Sequence, residues 1–429
     1  MSEDQENTQY QQPETTPPPA DLPSWVGENQ GVTGDFTSAP SSVPSVSEGG
    51  IQGTEYPQPL YPGVESQQPY AQFQPTPGYQ QIPGYPQPYG YPTAPVAPSK
   101  LPTEPRNYVQ FLRAPAYKIW KPIVGLLSFA AVAFIVMLII QMPLAVWAIF
   151  SGEIPLTTDQ QESINAVMDL MTTPIGFLTN NLSLAAFIPL AMWWAWLFFG
   201  QRPKWMSSIQ GGFRWAWFGR ALLITLPVWI LYFAIDYGIA YLADPVNPFG
   251  GMEWKADSLF FLLVIVLTTP LQCAGEEYLC RGFVNRTTGS LIPNKIGALL
   301  VGGLVSSTLF MFLHGAGDPW LNLFYFSFGA AGCAMTWLTG GLEASTSVHI
   351  VNNLLGLWMV PFVDRTGLFN REDGTGSPAI LLGVAFLALI TFILVRQARK
   401  LNLPTETAPG SLGPGSNRDT IADYGRNFG

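Results

Sequence analysis

From Pro122 onward this chain alternates long apolar runs with short charged ones, and nothing else in the sequence restricts its fold so strongly. Eight runs follow one another: 123–150, 178–200, 219–243, 257–281, 296–314, 319–340, 343–363 and 377–397. A helix of about 20 apolar residues spans the hydrocarbon core of a bilayer. Eight in succession, with almost no polar face, are not the buried helices of a soluble protein. Only 11% of the 429 residues are charged, against about a quarter in soluble domains, and the mean hydropathy is +0.21. The expected fold is all-α, a polytopic membrane bundle of about eight transmembrane helices behind a disordered N-terminal tail.

Loop charges give an orientation. With an even number of spans both termini share a side. If that side is the cytoplasm, the inner segments hold 17 of the 20 bases, and the outer loops hold only Lys255, Arg365 and Arg371. That asymmetry is a positive-inside signal. The first outer loop adds Glu153, Asp159, Glu162 and Asp169 with no base. The expectation is a multi-pass protein of the plasma membrane with both termini cytoplasmic.

Three segments are expected: a Pro/Tyr/Gln-rich cytoplasmic tail over 1–105, a membrane domain over 106–400, and a disordered C-terminal tail over 401–429. The first hundred residues hold 19 of the 39 prolines and 8 of the 16 tyrosines. Proline at that density fixes φ and removes backbone donors, and few aliphatic residues offset the ordering entropy. The segment reads as a solubilising tail with polyproline II character or as a docking segment for a partner with aromatic-lined grooves. It also carries the whole net charge of −9, as ten acids against Lys100. A basic nucleic-acid binder is thereby excluded. Cys273, Cys280 and Cys333 lie in apolar runs and form no disulfide framework. No cleavable signal peptide is expected, because the N-terminus is acidic and no apolar core follows it.

An ionisable group inside a span is a functional candidate by default. Glu276 and Glu277 stand together in the fourth run, and the chain's two histidines, His314 and His349, end the fifth and lie inside the seventh. Glu277 and Arg281 are four apart and can pair on a helix, which leaves Glu276 free of that partner. A carboxylate in a low-dielectric site resists ionising, which suits a general base. Read alone, the two acids could equally neutralise Arg281. Asn353 follows His349 by one helical turn, on the same face. Glu, two His and Asn are the parts for activating water and holding an oxyanion. The same Glu and histidines are also a zinc ligand set, with Cys273 and Cys280 on the face of Glu276. The sequence lacks His-Glu-x-x-His, and Asn353 is a poor zinc ligand, so the expectation is no cofactor, with zinc as the alternative.

Glu-Glu-x-x-x-Arg, Phe-x-x-x-His and His-x-x-x-Asn, in that order on successive spans, resemble the motif set of the CPBP family. That family comprises CAAX prenyl proteases of the Ras-converting type and bacterial relatives linked to bacteriocin processing and self-immunity. The matching residues are Glu276, Glu277 and Arg281; Phe310 and His314; His349 and Asn353. The resemblance covers roughly 257–362. Cys280 departs from it, since a bulkier apolar residue usually precedes the arginine. The resemblance implies an intramembrane endopeptidase of glutamate type acting on a peptide or protein substrate in or at the membrane. It implies that Glu276 and His314 activate water, His349 and Asn353 stabilise the oxyanion, and Glu277 and Arg281 orient the carboxylate. Two rival functions are a non-catalytic scaffold or bacteriocin-immunity protein, and a transporter with Glu276 and Asp236 as proton relay. One tension is geometric. If the fourth span ends at Arg281, Glu276 lies near the inner face and His314 toward the outer one. A kink at Pro270 or a re-entrant 289–293 link would relieve it.

Overall fold

The computed structural model describes residues 97–243, 245, 250–365 and 371–408. The tail expected over 1–105 therefore lies outside the described residues up to 96, and the C-terminal tail beyond 408. The described chain is helical, with two isolated bridges, Asn107 to Glu406 and Ser208 to Gly341. It forms a polytopic membrane helix bundle.

Among the described residues, seven helices are long and apolar enough to cross a membrane. The first, α1 (Trp120–Ser151), is apolar all round and turns most of its surface outward. A short α2 (Gln160–Met171) leads to α3 (Pro174–Ala185) and α4 (Phe187–Phe199), which together make the second span. After α5 (Lys204–Ser207) comes α6 (Trp215–Ala243). The fourth span is one long helix, Ser258–Ser290. It consists of α7 (Ser258–Glu277), a π-helical segment over Tyr278–Val284, and α8 (Asn285–Ser290). Then come α9 (Lys295–Leu313), α10 (Pro319–Thr339), α11 (Glu343–Leu357) and α12 (Ile380–Lys400).

The seventh run, expected to span over 343–363, forms only the 15-residue α11 and a 3-10 turn at Val360–Phe362. Its composition explains the difference. Glu343, Ser345, Thr346, Ser347 and His349 are buried on it, and lipid cannot satisfy such groups. The helix is enclosed by protein instead. It still runs from one end of the bundle to the other. At its start Leu342 N–H donates to Ser207 O (2.9 Å). Beyond its end Arg365 pairs with Asp257 (2.6 Å) and Lys255 Nζ donates to Val363 O (2.5 Å). The chain therefore traverses the bundle eight times with seven long helices.

The two described ends of the chain meet. Arg106 N–H donates to Thr407 Oγ1 (3.1 Å), Thr407 N–H to Arg106 O (3.0 Å), and Lys295 pairs with Glu406 (2.7 Å). Packing on the bundle extends outside 106–400: Gln201 Nε2 donates to Lys100 O (3.3 Å), and Leu101 and Leu403 border the core.

Arg281 and Arg286, which the loop count assigned to an inner segment, are not loop residues. Both are buried inside the fourth helix. That helix runs nine residues past its expected end, which removes the depth conflict. Glu276 lies about 21 Å back from Ser290, and α9 rises about 28 Å before reaching His314, at 1.5 Å per residue. The two residues come to similar depth with no re-entrant link. Pro270 lies inside α7.

The core is aromatic where α1, α4 and the π segment meet. Phe129 stacks on Phe283 (4.5 Å) and meets Trp194 edge-on (5.9 Å). Such pairs add roughly 0.5–1.5 kcal/mol beyond burial. A bare backbone at Gly275 lets α3 approach α7: a Cβ there would fall 2.0 Å from Leu184 O.

Candidate active site

Four helices supply the site. Glu276 and Glu277 end α7, Phe310 and His314 end α9, Phe328 and Gly332 lie on α10, and His349 and Asn353 lie on α11. The π segment begins immediately after the paired acids. There Asn285 N–H bonds back to Cys280 O, five residues earlier. Such wide turns occur frequently at functional sites. This one is buried throughout, and Ser306 Oγ from α9 donates to the same Cys280 carbonyl (2.8 Å).

Glu277 is the electrostatic centre. Its Oε1 lies 2.9 Å from Arg281 Nη1 and accepts from His349 Nδ1 (3.0 Å). Both members of the Glu277–Arg281 pair are fully buried. The Arg281 guanidinium lies over the Phe310 ring (4.3 Å to its centroid) and donates from Nη2 to Phe328 O (3.2 Å). His349 packs edge-on against Phe310 (5.7 Å) and Phe328 (5.1 Å). Its other nitrogen, Nε2, is 3.5 Å from Glu276 Oε2. His349 thus lies between two carboxylates, its orientation fixed by Glu277.

Glu276 uses its two oxygens differently. Oε1 accepts from Gln272 Nε2 (2.6 Å). Oε2 is buried and has no hydrogen-bond partner. A buried acceptor left open costs about 1–3 kcal/mol, so Oε2 is the oxygen prepared for an incoming donor. His314 Nδ1 donates to Phe310 O (2.7 Å), and in the neutral ring the lone pair then lies on Nε2. Its ring stacks on Tyr325 (4.0 Å) and is within electrostatic reach of Glu276.

Glu276, Glu277, Arg281, Phe310 and His349 thus form one connected group. Phe310 ties it together: one face lies under Arg281, its ring meets His349, and its carbonyl holds His314. Asn353 does not touch Glu276. It joins through Gln272, donating from Nδ2 to Gln272 Oε1 (3.3 Å). Sequence reasoning missed Gln272, although its place four residues before Glu276 put the two on one face. It also missed Phe328, Tyr325 and Arg371, which donates to His314 O (2.8 Å); no local pattern marks those three.

Among the described residues, no three His, Cys, Asp or Glu side chains are grouped so as to hold a metal ion. Cys273, a sulfur donor in the zinc alternative, points its thiol at Gln272 Oε1 (3.3 Å).

Residues 256–355 match the family model for type II CAAX prenyl endopeptidases, Rce1-like. The similarity to that family rests on this segment. The Rce1-like segment contains every motif residue from Glu276 to Asn353. An uncharacterized protein of Bacillus subtilis (strain 168), YyaK, is 30% identical over 135 residues, which cover 29% of this chain and 44% of that protein. The chain thus spans less than half the length of this curated relative. No solved structure matches it.

Proposed function

We propose that this protein is an intramembrane endopeptidase of the CAAX-protease type, with both termini cytoplasmic in the plasma membrane. It cleaves a peptide bond within or next to the bilayer. Glu276, through Oε2, takes a proton from a water molecule that His314 Nε2 helps to position; the water oxygen attacks the scissile carbonyl, and as the tetrahedral intermediate collapses the C–N bond breaks and that proton passes to the leaving amine. His349, through Nε2, and Asn353, through Nδ2, stabilise the developing oxyanion. Glu277 and Arg281 hold His349 and the end of α7 in register. The observation that carries this reading is the open, buried Oε2 of Glu276, 3.5 Å from Nε2 of His349, whose Nδ1 is already held by Glu277. The membrane domain of 106–400 performs the reaction without a metal, and the N-terminal tail is a separate segment that solubilises or docks partners.

The test uses the full chain reconstituted in liposomes with membrane-anchored peptides, prenylated and not. Glu276→Gln is expected to abolish turnover. Asn353→Ala is expected to cost about 10²–10³ in kcat with KM little changed. Thorough chelation is expected to leave the rate unchanged. A wild-type protein that cleaves neither peptide class, or loses its activity to chelation and regains it with Zn²⁺, overturns the reading.

A further inference from the structure

Gln272 reaches both Glu276 and Asn353. It is 8% exposed. Both ends of its amide are used: Nε2 donates to Glu276 Oε1 (2.6 Å), and Oε1 accepts from Asn353 Nδ2 (3.3 Å) and from the Cys273 thiol (3.3 Å). Asn353 Oδ1 in turn accepts from Asn352 Nδ2 (2.9 Å).

The direction of this chain follows from the carboxylate. An ionised carboxylate only accepts, so Gln272 must turn its NH₂ toward Glu276. Its carbonyl then faces Asn353, which must present its own NH₂. One Nδ2 hydrogen of Asn353 is consumed by Gln272, and the other stays free to donate. If Gln272 were absent, Asn353 would keep the contact of its Oδ1 with Asn352 Nδ2 (2.9 Å), but Asn352 is itself an amide that can turn with it, so the pair could flip and offer a carbonyl where a donor is needed. The same contact occupies Oε1 of Glu276 and leaves Oε2 as the open oxygen.

We propose that Gln272 is a positioning residue that sets which oxygen of Glu276 is reactive and which end of the Asn353 amide faces substrate. This rests on the protease reading above for its catalytic consequence, but the amide chain itself does not.

The test is a double-mutant cycle between Gln272→Met, which keeps length and volume, and Asn353→Ala, in the full-length protein. In peptide hydrolysis, Gln272→Met is expected to lower kcat about 10²-fold with KM within about twofold. Adding Asn353→Ala should then cost less than about threefold more, because the amide is already misdirected. A merely structural Gln272 gives losses that multiply. The same cycle read by thermal unfolding in detergent is expected to show coupling between the two sites. That arm needs no turnover. Coupled unfolding in a wild-type protein that hydrolyses nothing supports the amide chain and rejects the protease. Independent effects in unfolding, or multiplying losses in kcat, overturn the proposal.

Discussion

Arg281 and Arg286 lie five residues apart on the same helix, both fully buried, and they solve the problem of a buried guanidinium in opposite ways. Arg281 has a carboxylate, Glu277 Oε1 at 2.9 Å. Arg286 has no carboxylate as an ion-pair partner among the described residues. Its Nη1 donates to Trp205 O (3.0 Å) and Met206 Sδ (3.5 Å), and its Nη2 to Gln201 Oε1 (3.2 Å). The rings of Tyr108 and Phe111 lie against it at 4.8 and 5.0 Å. These partners come from the stretch before α1, from the α4–α5 connection and from α5, and Tyr108 OH also donates to Met206 O. Arg286 therefore fastens distant pieces of chain to one end of the bundle with neutral groups. Of these two arginines, the one beside a carboxylate is the one whose network continues, because Glu277 both neutralises Arg281 and holds His349. Buried ion pairs are not confined to the site, since the fully buried Glu343 pairs with Arg214 (2.6 Å) at the start of α11, and Arg286 shows that burial alone does not require one.

Removing each arginine tests this contrast. Arg281→Met strands Glu277 as an unpaired buried charge, which costs about 3–5 kcal/mol. Adding Glu277→Gln should return part of that loss, since a neutral amide no longer needs the cation. Arg286→Met strands no charge and leaves only neutral acceptors unfilled, so about 1–3 kcal/mol is expected. Detergent unfolding of the three variants measures the order. Equal losses at the two arginines, or no recovery with Glu277→Gln, would break the comparison.

The two arginines also show what a sequence can and cannot disclose. Arg281 was legible because Glu277 precedes it by one turn and the histidine and asparagine spacings follow. Arg286 looked like one more inner-loop base, because the hydropathy of the fourth run fades before the helix does. Its partners are 80 or more residues away and are recruited by tertiary packing alone. The same limit applies at α11. Its polar residues were visible as candidates, yet hydropathy counted it as a lipid-facing span, because average apolarity does not say whether lipid or protein surrounds a helix. The π segment leaves no periodic mark over seven residues. Gln272 could have been found by reading four residues back from Glu276, where a polar amide faces the same way.

The space around Arg281 gives a finer test. A Cβ at Gly332 would fall 2.6 Å from Arg281 Nε and 2.8 Å from Nη2. The guanidinium cannot withdraw without leaving Glu277 or the Phe310 ring, so Gly332→Ala should cost about 1–3 kcal/mol through overpacking. At Gly303 on the facing helix the nearest atom is Cys333 Cβ at 3.8 Å, an ordinary contact. Gly303→Ala is expected to be neutral or slightly stabilising. If the two alanines destabilise equally in unfolding, Arg281 is not held as tightly as the contrast with Arg286 requires.

The weakest effect is expected at the opposite end of the bundle, where Arg365 pairs with Asp257 in a half-exposed setting. Arg365 Nη1 and Nη2 donate to the two Asp257 oxygens (2.6 and 2.9 Å), and the acid's side chain is 38% exposed. These hydrogen bonds hold the Asp257 carboxyl below its ordinary range. A carboxylate whose folded value is depressed contributes stability that is fully present above its unfolded value and is lost as pH falls through the folded one. The contribution is therefore intact at neutral pH and fades in acid. Solvent screening keeps it to at most about 1 kcal/mol. Arg365→Gln should accordingly lower stability slightly at pH 7 and not at all once Asp257 is protonated, and added salt should shrink the neutral-pH difference. Unfolding curves of wild type and Arg365→Gln across the acid range would show the two converging as pH falls. A gap that widens in acid would mean that Arg365 acts through the carbonyls of Val360 and Pro361, which it also reaches (3.4 and 3.3 Å), in the manner of Arg286 rather than of Arg281.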